Sequence, residues 1–161
     1  MAGSFALAND QAAVRMKILV DADACPVIPE INDVAREFAI PVTLVSNYCH
    51  DMKQYEGVTI VIVDKEADAV DLAVANLTVR GDIVVTQDYG LAALALGKRA
   101  SAISPRGRIF GEHNIEGLLH KRHISRKQRK RGIRTRGPKP MTIEDRKTFV
   151  RNLHSLIEAA R

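Results

Sequence analysis

The sequence predicts an α/β fold in which a mainly parallel sheet is covered by helices on both faces. Strand-like and helix-like segments alternate along most of the chain, as in parallel sheets whose strands are joined by helical crossovers. Two strand segments, Val58–Val63 and Asp82–Gln87, are dominated by β-branched apolar residues, which is typical of strands covered on both faces. The chain has 161 residues, 46% hydrophobic and 27% charged, which is enough to bury one such core.

The first part of the sequence predicts two strands separated by one helix. Lys17–Val20 is a short apolar strand, and Val42–Ser46 is the second. Between them, Pro26 and Pro29 suit the first turn of a helix, where the missing N–H groups have no helical partner to lose. Pro41 ends this helix, whose apolar residues recur at helical spacing: Val27, Ile31, Val34, Ala35 and Phe38.

The middle of the sequence continues the alternation. The strand Val58–Val63 is followed by a helix, and Asp82–Gln87 is followed by a short helix over Tyr89–Leu96. Ala100–Ile103 is a fifth predicted strand, and Ile115–His120 is a short predicted helix. The helix after Val58–Val63 buries a stripe formed by Ala67, Val70, Ala73, Val74 and Leu77.

We interpret residues 16–161 as a single domain preceded by an N-terminal extension, residues 1–15. Residues 121–140 are too basic to build a core and are predicted to form a flexible basic arm. Residues 142–160 form a clear amphipathic C-terminal helix. Thr142 is its predicted N-cap, since acidic residues follow in the first turn.

Charge is distributed very unevenly along the chain. Residues 1–97 contain 6 Lys and Arg against 14 Asp and Glu, a net charge of −8. Residues 98–139 contain 14 against 2, a net charge of +12. Such a segment is expected to bind a polyanion by releasing its counterions, the candidates being RNA, DNA or a ribosome surface. The alternative is a solvated tail kept for solubility. The residues expected to hold the phosphates of the polyanion are Arg126, Lys127, Arg129, Lys130 and Arg131.

Several classes of protein are excluded by composition. No stretch approaches the roughly 20 continuous apolar residues of a membrane span, so an integral membrane protein is not expected. Aromatic residues make up only 4%, which argues against an extended platform for stacking bases. Cys25 and Cys49 form neither a disulfide framework nor a CxxC pair. This cysteine usage favours a reducing compartment, and we expect the cytoplasm.

Acidic residues follow several predicted strands at the carboxyl-terminal edge of the sheet, where ligands bind in open parallel sheets. Asp68 and Asp71 are spaced i, i+3 and can share one helix face. Asp82 begins its strand and is expected at the opposite edge. The acidic residues predicted at the carboxyl-terminal edge are Asp21, Asp23, Asp64, Asp68, Asp71 and Asp88.

Carboxylates that converge at one edge repel each other, and a bound divalent cation usually neutralises their charge. Oxygen-only ligands favour Mg²⁺ or Mn²⁺, whereas the His and Cys residues lack the spacing of a zinc site. Helix capping explains Asp64 and Asp68 equally well. Asp21, Asp71 and Asp88 are therefore the favoured ligands.

Four further polar residues are candidates to contact a substrate at this edge. Ser46 and Asn47 end the second strand, and Thr86 precedes Asp88. Arg106 follows the fifth strand, and its guanidinium matches a phosphate bidentately. Ordinary loop chemistry accounts for each of the four equally well.

Three segments of the sequence closely resemble the YaiI/YqxD family of bacterial proteins. They are Val20–Pro26 (VDADACP), Ala67–Asp71 (ADAVD) and Gly81–Gly90 (GDIVVTQDYG), and the resemblance extends over about residues 16–155. That family is grouped with PIN-like domains, which are compact three-layer α/β/α folds, many of them Mg²⁺- or Mn²⁺-dependent ribonucleases. The resemblance therefore implies a PIN-like fold, a divalent metal and an RNA substrate.

The PIN pattern also implies roles for individual residues. Its acidic residue after the first strand corresponds to Asp21, its acidic residue at the start of an Ala-rich helix to Asp71, and its Thr-x-Asp to Thr86-Gln87-Asp88. One further acidic residue, carried by many PIN nucleases on an earlier helix, has no matching motif around Glu30 or Glu37. Asp23 or Asp68 would substitute for it.

These observations lead to one main hypothesis and two alternatives. The main one is a metal-dependent ribonuclease in which Asp21, Asp71 and Asp88 are catalytic and Asp23 and Asp68 are further ligands. The first alternative is a non-catalytic RNA- or ribosome-binding module on a PIN-like scaffold. The second is a phosphohydrolase of the haloacid dehalogenase type, since Asp21-x-Asp23 after a strand resembles its nucleophile and acid pair, with Ser46 as its second motif.

Overall fold

The protein has the predicted three-layer α/β/α fold. The structure is a computed structural model that describes residues 15–47, 55–134, 137 and 139–160. Within them, the sheet contains β1 (Ile18–Asp21), β2 (Val42–Ser46), β3 (Val58–Ile62), β4 (Ile83–Val85), β5 (Ser101–Ile103) and β6 (Ile109–Phe110). The α-helices are α1 (Ile28–Phe38), α2 (Ala69–Leu77), α3 (Tyr89–Gly97), α4 (Ile115–Lys130) and α5 (Ile143–Ala159).

The strand order is β3-β2-β1-β4-β5-β6, and every neighbouring pair except β5 with β6 is parallel. The chain builds outward from β1 through β2 to β3, and then returns to place β4 on the other side of β1. The order therefore reverses between β1 and β4. In open α/β sheets this reversal opens a crevice at the carboxyl ends of the two strands, which is where ligands bind.

Each face of the sheet has its own apolar core, as the alternation of side chains along a strand requires. On one face, Ile18 and Val20 pack with α1 and α5, where Phe149 and Leu153 are fully buried. On the other face, Leu19 packs with residues of α2, α3 and the first turn of α4. The predicted helical layers on both faces are therefore confirmed.

Three local predictions were wrong. The buried stripe predicted for α2 does not include Ala67, which precedes the helix, or Leu77, since both are exposed. Strand β3 is an edge strand, so Ile60 and Ile62 are exposed and not covered on both faces as the apolar run suggested. The helix predicted to end at His120 continues to Lys130. Lys, Arg and Gln are good helix formers, and a basic last turn suits the partial negative charge at the end of a helix.

The connection from β5 back to β6 was not predicted. β6 has two residues and pairs antiparallel with β5 through a tight turn. The turn closes with a hydrogen bond from the Ser104 N–H to the Arg108 carbonyl at 2.8 Å. Gly107 adopts a φ of +93°, and a β-carbon there would lie 2.8 Å from the backbone nitrogen of Phe149. The turn therefore lies directly against α5 and requires glycine at this position.

The C-terminal helix begins as predicted. Thr142 accepts a hydrogen bond from the Asp145 N–H at 3.0 Å, and Asp145 accepts one from the Thr142 N–H at 3.0 Å. This capping box satisfies two backbone donors that a helix start leaves without partners. Residues 1–14, most of the predicted N-terminal extension, and residues 48–54, which include Cys49 and His50, lie outside the described residues.

Candidate functional site

The candidate site lies at the carboxyl ends of β1 and β4, where the strand order reverses. Asp21 is the last residue of β1, and Thr86 and Asp88 follow β4. Asp71 lies in the first turn of α2, which packs against β1. The structure thus brings together three acidic residues from segments far apart in the sequence. We call Asp21, Asp71 and Asp88 the carboxylate cluster.

Thr86 connects two members of the carboxylate cluster. Its hydroxyl donates to Asp21 Oδ2 at 3.2 Å and accepts from the Asp88 N–H at 2.9 Å. Thr86 is 1% exposed, so its hydroxyl is held inside the protein. Thr86, which was predicted to contact substrate, therefore fixes the position of Asp21 relative to the start of α3.

Asp88 has two structural partners on one oxygen. Its Oδ1 accepts from the Leu91 N–H at 2.9 Å, so Asp88 caps α3. The same atom lies 3.4 Å from Arg122 Nη1, on α4. Oδ2 of Asp88 has no hydrogen bond to the residues the structure describes. Capping and ligand binding are thus compatible roles for this side chain.

Asp71 carries no hydrogen bond or ion pair to the described part of the chain, and its pKa is raised. Partial burial and the negative charges of Asp88, Asp21 and Asp68 raise the pKa of Asp71 from 3.8 to about 6, against a smaller opposing effect of Arg122. A carboxylate in this state is poorly neutralised by its surroundings.

Asp21 shows the same imbalance. Burial raises its pKa above 3.8, the hydrogen bond from Thr86 opposes this, and the charges of Asp23 and Asp88 add to the rise. The mutual influence of these side chains shows that they share one electrostatic environment. Perturbed acids in a crevice are candidates for a functional site.

Asp68 is exposed and precedes α2 with a φ of 68°, a left-handed conformation that Asp adopts more readily than most residues. Its side chain makes no capping hydrogen bond. Capping therefore does not explain Asp68. Its charge instead contributes to the negative potential at Asp71.

Asp23 holds the ends of β1 and β2 together. Ser46 donates its hydroxyl to Asp23 Oδ1, and the Asn47 N–H donates to both carboxylate oxygens at 3.1 and 3.2 Å. Ser46 is fully buried, so both residues predicted to contact substrate here support Asp23 instead. The side-chain oxygen of Asn47 is buried without a hydrogen-bond partner among the described residues.

The donor set at this edge fits a hard divalent cation. No three His, Cys, Asp or Glu side chains of the described residues already stand in an arrangement that would hold a metal ion. Both oxygens of Asp71 and one each of Asp21 and Asp88 nevertheless have no protein partner in that part of the chain. All are carboxylate oxygens, the ligand type that Mg²⁺ and Mn²⁺ prefer.

The predicted basic residues form two groups. Arg126, Lys127, Arg129, Lys130 and Arg131 lie in or directly after the last turns of α4 and are exposed. Arg106 lies in the turn between β5 and β6, where its Nη1 donates to Asp145 Oδ2 at 2.8 Å. Arg136, which belongs to the same basic segment of the sequence, lies outside the described residues.

Other acidic and thiol groups are used elsewhere. Asp82 lies at the opposite edge of the sheet, as predicted, and pairs with Lys17. Glu30 and Glu37, considered for the missing acidic position, pair with Arg146 and His154 of α5. Burial raises the pKa of the Cys25 thiol to about 12, with smaller contributions from Asp21 and Glu30, so Cys25 remains protonated.

Arg122 is the residue of this site that sequence reasoning missed. It was counted only as part of the basic segment, because nothing in the sequence pairs it with Asp88. The helical spacing of Arg122, Arg126 and Arg129 would have placed these residues on one face of α4 had the helix been extended past His120.

Comparison with known proteins identifies the family. The model of the uncharacterized YaiI/YqxD family matches residues 19–159, nearly the whole described chain. The chain belongs to the YaiI/YqxD family. A UPF0178 protein of Halalkalibacterium halodurans is 42% identical over 149 residues, which cover 92% of this chain and 95% of the relative.

Two further relatives agree in length and extent. A UPF0178 protein of Bacillus mycoides is 48% identical over 136 residues, covering 83% of this chain and 93% of the relative. One of Clostridium acetobutylicum is 46% identical over 144 residues, covering 88% and 97%. No solved structure shows a significant match. Within the described residues, no helix has the length and apolar character needed to cross a membrane.

Proposed function

We propose that this protein is a divalent-metal-dependent nuclease that hydrolyses phosphodiester bonds of RNA. The supporting observation is the carboxylate cluster itself. Asp21, Asp71 and Asp88 come from three separate elements and lie where the strand order reverses, and the charge of Asp88 contributes to the raised pKa of both Asp21 and Asp71. Three carboxylates gathered at a ligand-binding edge are expected where a cation completes the site.

Mg²⁺ or Mn²⁺ would be held by Asp21, Asp71 and Asp88. When bound, such an ion polarises the phosphoryl group and lowers the pKa of the attacking water. Thr86 fixes Asp21 against the start of α3, and Asp23 holds the end of β2 beside it. Asp68, exposed and free of a capping bond, is available to orient water at the rim.

The basic face of α4 supports a nucleic-acid substrate. Arg122 contacts Asp88, and Arg126, Arg129 and Lys130 follow at i+4, i+7 and i+8 along the same helix face. At 1.5 Å per residue this row extends about 12 Å from the carboxylate cluster. A phosphate backbone bound along it would lead into the crevice at β1 and β4.

RNA is the substrate class favoured by the resemblance to PIN-like ribonucleases. The segments that carry this resemblance provide all three members of the carboxylate cluster. We place the proposed activity in the cytoplasm, consistent with a chain whose described cysteine, Cys25, is a free thiol.

Cleavage of a panel of structured and unstructured RNAs, with Mg²⁺, Mn²⁺ or EDTA, tests the proposal. The variants are Asp21→Asn and Asp88→Asn, with Asp33→Asn, an exposed residue of α1, as the matched control. We expect cation-dependent cleavage that falls by about 100-fold or more in the cluster variants and is unchanged in the control. Calorimetric titration with Mn²⁺ should lose its binding signal in the same two variants.

The alternatives give different results in this experiment. Salt-dependent RNA binding without cleavage, unchanged by Asp88→Asn but lost when residues 126–131 are neutralised, would indicate a binding module. A covalent aspartyl-phosphate mimic trapped on Asp21 would indicate a phosphohydrolase. Equal cleavage by wild type and Asp21→Asn would refute the proposed nuclease.

A further inference from the structure

A cleft of about 580 Å³ lies next to Asp88 along the chain. It is lined by residues on both sides of Asp88 in the sequence, Gln87 and Tyr89, and by the turn between β5 and β6. Its volume lies in the range of small-molecule and cofactor sites. Because Gln87 and Tyr89 flank Asp88, the cleft begins one residue away from the carboxylate cluster.

The cleft has an anion-binding side made of two arginines. Arg106 and Arg108 stand on the turn, on either side of Gly107, whose backbone lies against α5. Asp145 holds Arg106 through Nη1 only, so the remaining guanidinium donors of Arg106 have no partner among the described residues. None of the described residues that line the cleft is acidic. Two guanidinium groups on a fixed turn match the oxygens of one phosphate.

The lining of the cleft also contains two aromatic residues. They are Tyr89, which is partly buried, and Phe110, which is 2% exposed. Their ring centroids are 5.8 Å apart with an interplanar angle of 64°, so Phe110 supports Tyr89 edge to face. A single supported aromatic ring provides one stacking surface for a planar group.

We propose that this cleft binds one nucleotide unit, with its phosphate on Arg106 and Arg108 and its base against Tyr89. The proposal rests on the proposed function and deepens it, because it names where the nucleotide next to the scissile phosphate lies. Arginines and an aromatic ring in one cleft favour a nucleotide over a peptide carboxylate, because a carboxylate would leave the ring of Tyr89 without a stacking partner.

Binding of 5′-AMP and 5′-UMP to the full chain in EDTA tests the cleft separately from metal binding and hydrolysis. Backbone amide shifts in NMR titrations, at 150 mM salt, give both the site and the affinity. We expect saturable shifts at residues 87–89 and 104–110. Arg108→Gln should weaken binding by about 10-fold, the effect of one lost charge-assisted contact. Arg80→Gln, an exposed arginine at the opposite edge of the sheet, is the matched control.

Two comparisons test the phosphate contacts and the base contact of the cleft separately. Adenosine and inorganic phosphate should each bind more weakly than 5′-AMP, and Tyr89→Leu should reduce the preference for 5′-AMP over phosphate. The exposed side chain of Arg108 makes no hydrogen bond or ion pair within the described residues, so Arg108→Gln is not expected to disturb folding. Unchanged binding in Arg108→Gln, shifts confined to residues 121–134, or equal affinity for phosphate and 5′-AMP would overturn the proposal.

The outcome separates this proposal from the nuclease itself. Asp21→Asn should bind 5′-AMP as well as wild type does, since Asp21 does not line the cleft. Mononucleotide binding without any RNA cleavage would support the cleft and refute the proposed activity. Cleavage that depends on Asp21, combined with no mononucleotide binding in the cleft, would refute the cleft alone.

Discussion

The two edges of the parallel sheet place the same residue type in opposite environments. At the amino end of β4, Asp82 is 1% exposed, pairs with Lys17, and accepts hydrogen bonds from the Lys17 and Val79 N–H groups at 3.2 and 2.8 Å. At the carboxyl end, Asp71 has no such partner in the described part of the chain, and other acids surround it. The first arrangement stabilises the fold, and the second leaves a charge to be balanced by something else.

This difference shows why a raised pKa of an acid at the carboxyl-terminal edge of the sheet points to a functional role. A buried acid that serves the fold is normally supplied with donors, because an unpaired buried charge is expensive. Asp82 follows that rule. Burial and neighbouring acids raise the pKa of both Asp21 and Asp71, which is the arrangement expected of acids kept for binding or catalysis.

Removing the carboxylate of Asp82, which has hydrogen-bond and ion-pair partners, should give the largest effect on stability. Asp82→Ala leaves the Lys17 ammonium and two backbone N–H groups without their acceptor, and we expect a loss of about 3 kcal/mol. Urea unfolding of this variant against Asp33→Ala as the control measures the difference. A loss equal to that of the control would mean that Asp82 does not differ from an ordinary surface acid.

Neutralising Asp71 should instead increase the stability of the fold. Because the pKa of Asp71 rises from 3.8 to about 6 on folding, ionised Asp71 lowers stability above pH 6. This cost disappears as the pH falls through 6 toward 3.8, where the carboxyl becomes protonated in both states. Asp71→Asn should therefore be more stable than wild type at pH 7.5.

The pH dependence of that gain is the decisive part of the measurement. The advantage of Asp71→Asn should shrink steadily between pH 6 and pH 4 in metal-free urea unfolding. Asp33→Asn provides the reference for an exposed acid. A gain that does not vary with pH would assign it to side-chain packing and not to charge.

A smaller effect should follow from Arg122, the nearby cation on α4. Its charge lowers the pKa of Asp71, so Arg122→Ala should raise that pKa further. Titration of the side-chain carboxyl carbon of Asp71 by NMR measures this shift. Arg126→Ala, one turn further along the same helix, should leave the titration nearly unchanged. Equal shifts in the two variants would point to a general effect of net charge.

Local patterns in the sequence predicted most of the elements. β2 was predicted with its observed bounds, and β1, β4 and α3 were predicted within a few residues, because proline, helical spacing and β-branched runs act locally. The edge position of β3 and the pairing of β6 were not predictable in this way, since both depend on which strands become neighbours. The sequence predicts too short an α4, because its residues after His120 have no apolar face and therefore carry no helical periodicity.

The candidate site divides along the same line. The sequence by itself determined that Asp21 and Asp88 follow buried parallel strands, and that they must therefore reach one edge of the sheet, since parallel strands all end on the same side. Only the tertiary structure decided that Asp23 is occupied by Ser46 and Asn47, that Arg106 is held by Asp145, and that Arg122 reaches Asp88. These partners lie 23 to 39 positions apart, where chain folding and not local pattern sets the distance between side chains.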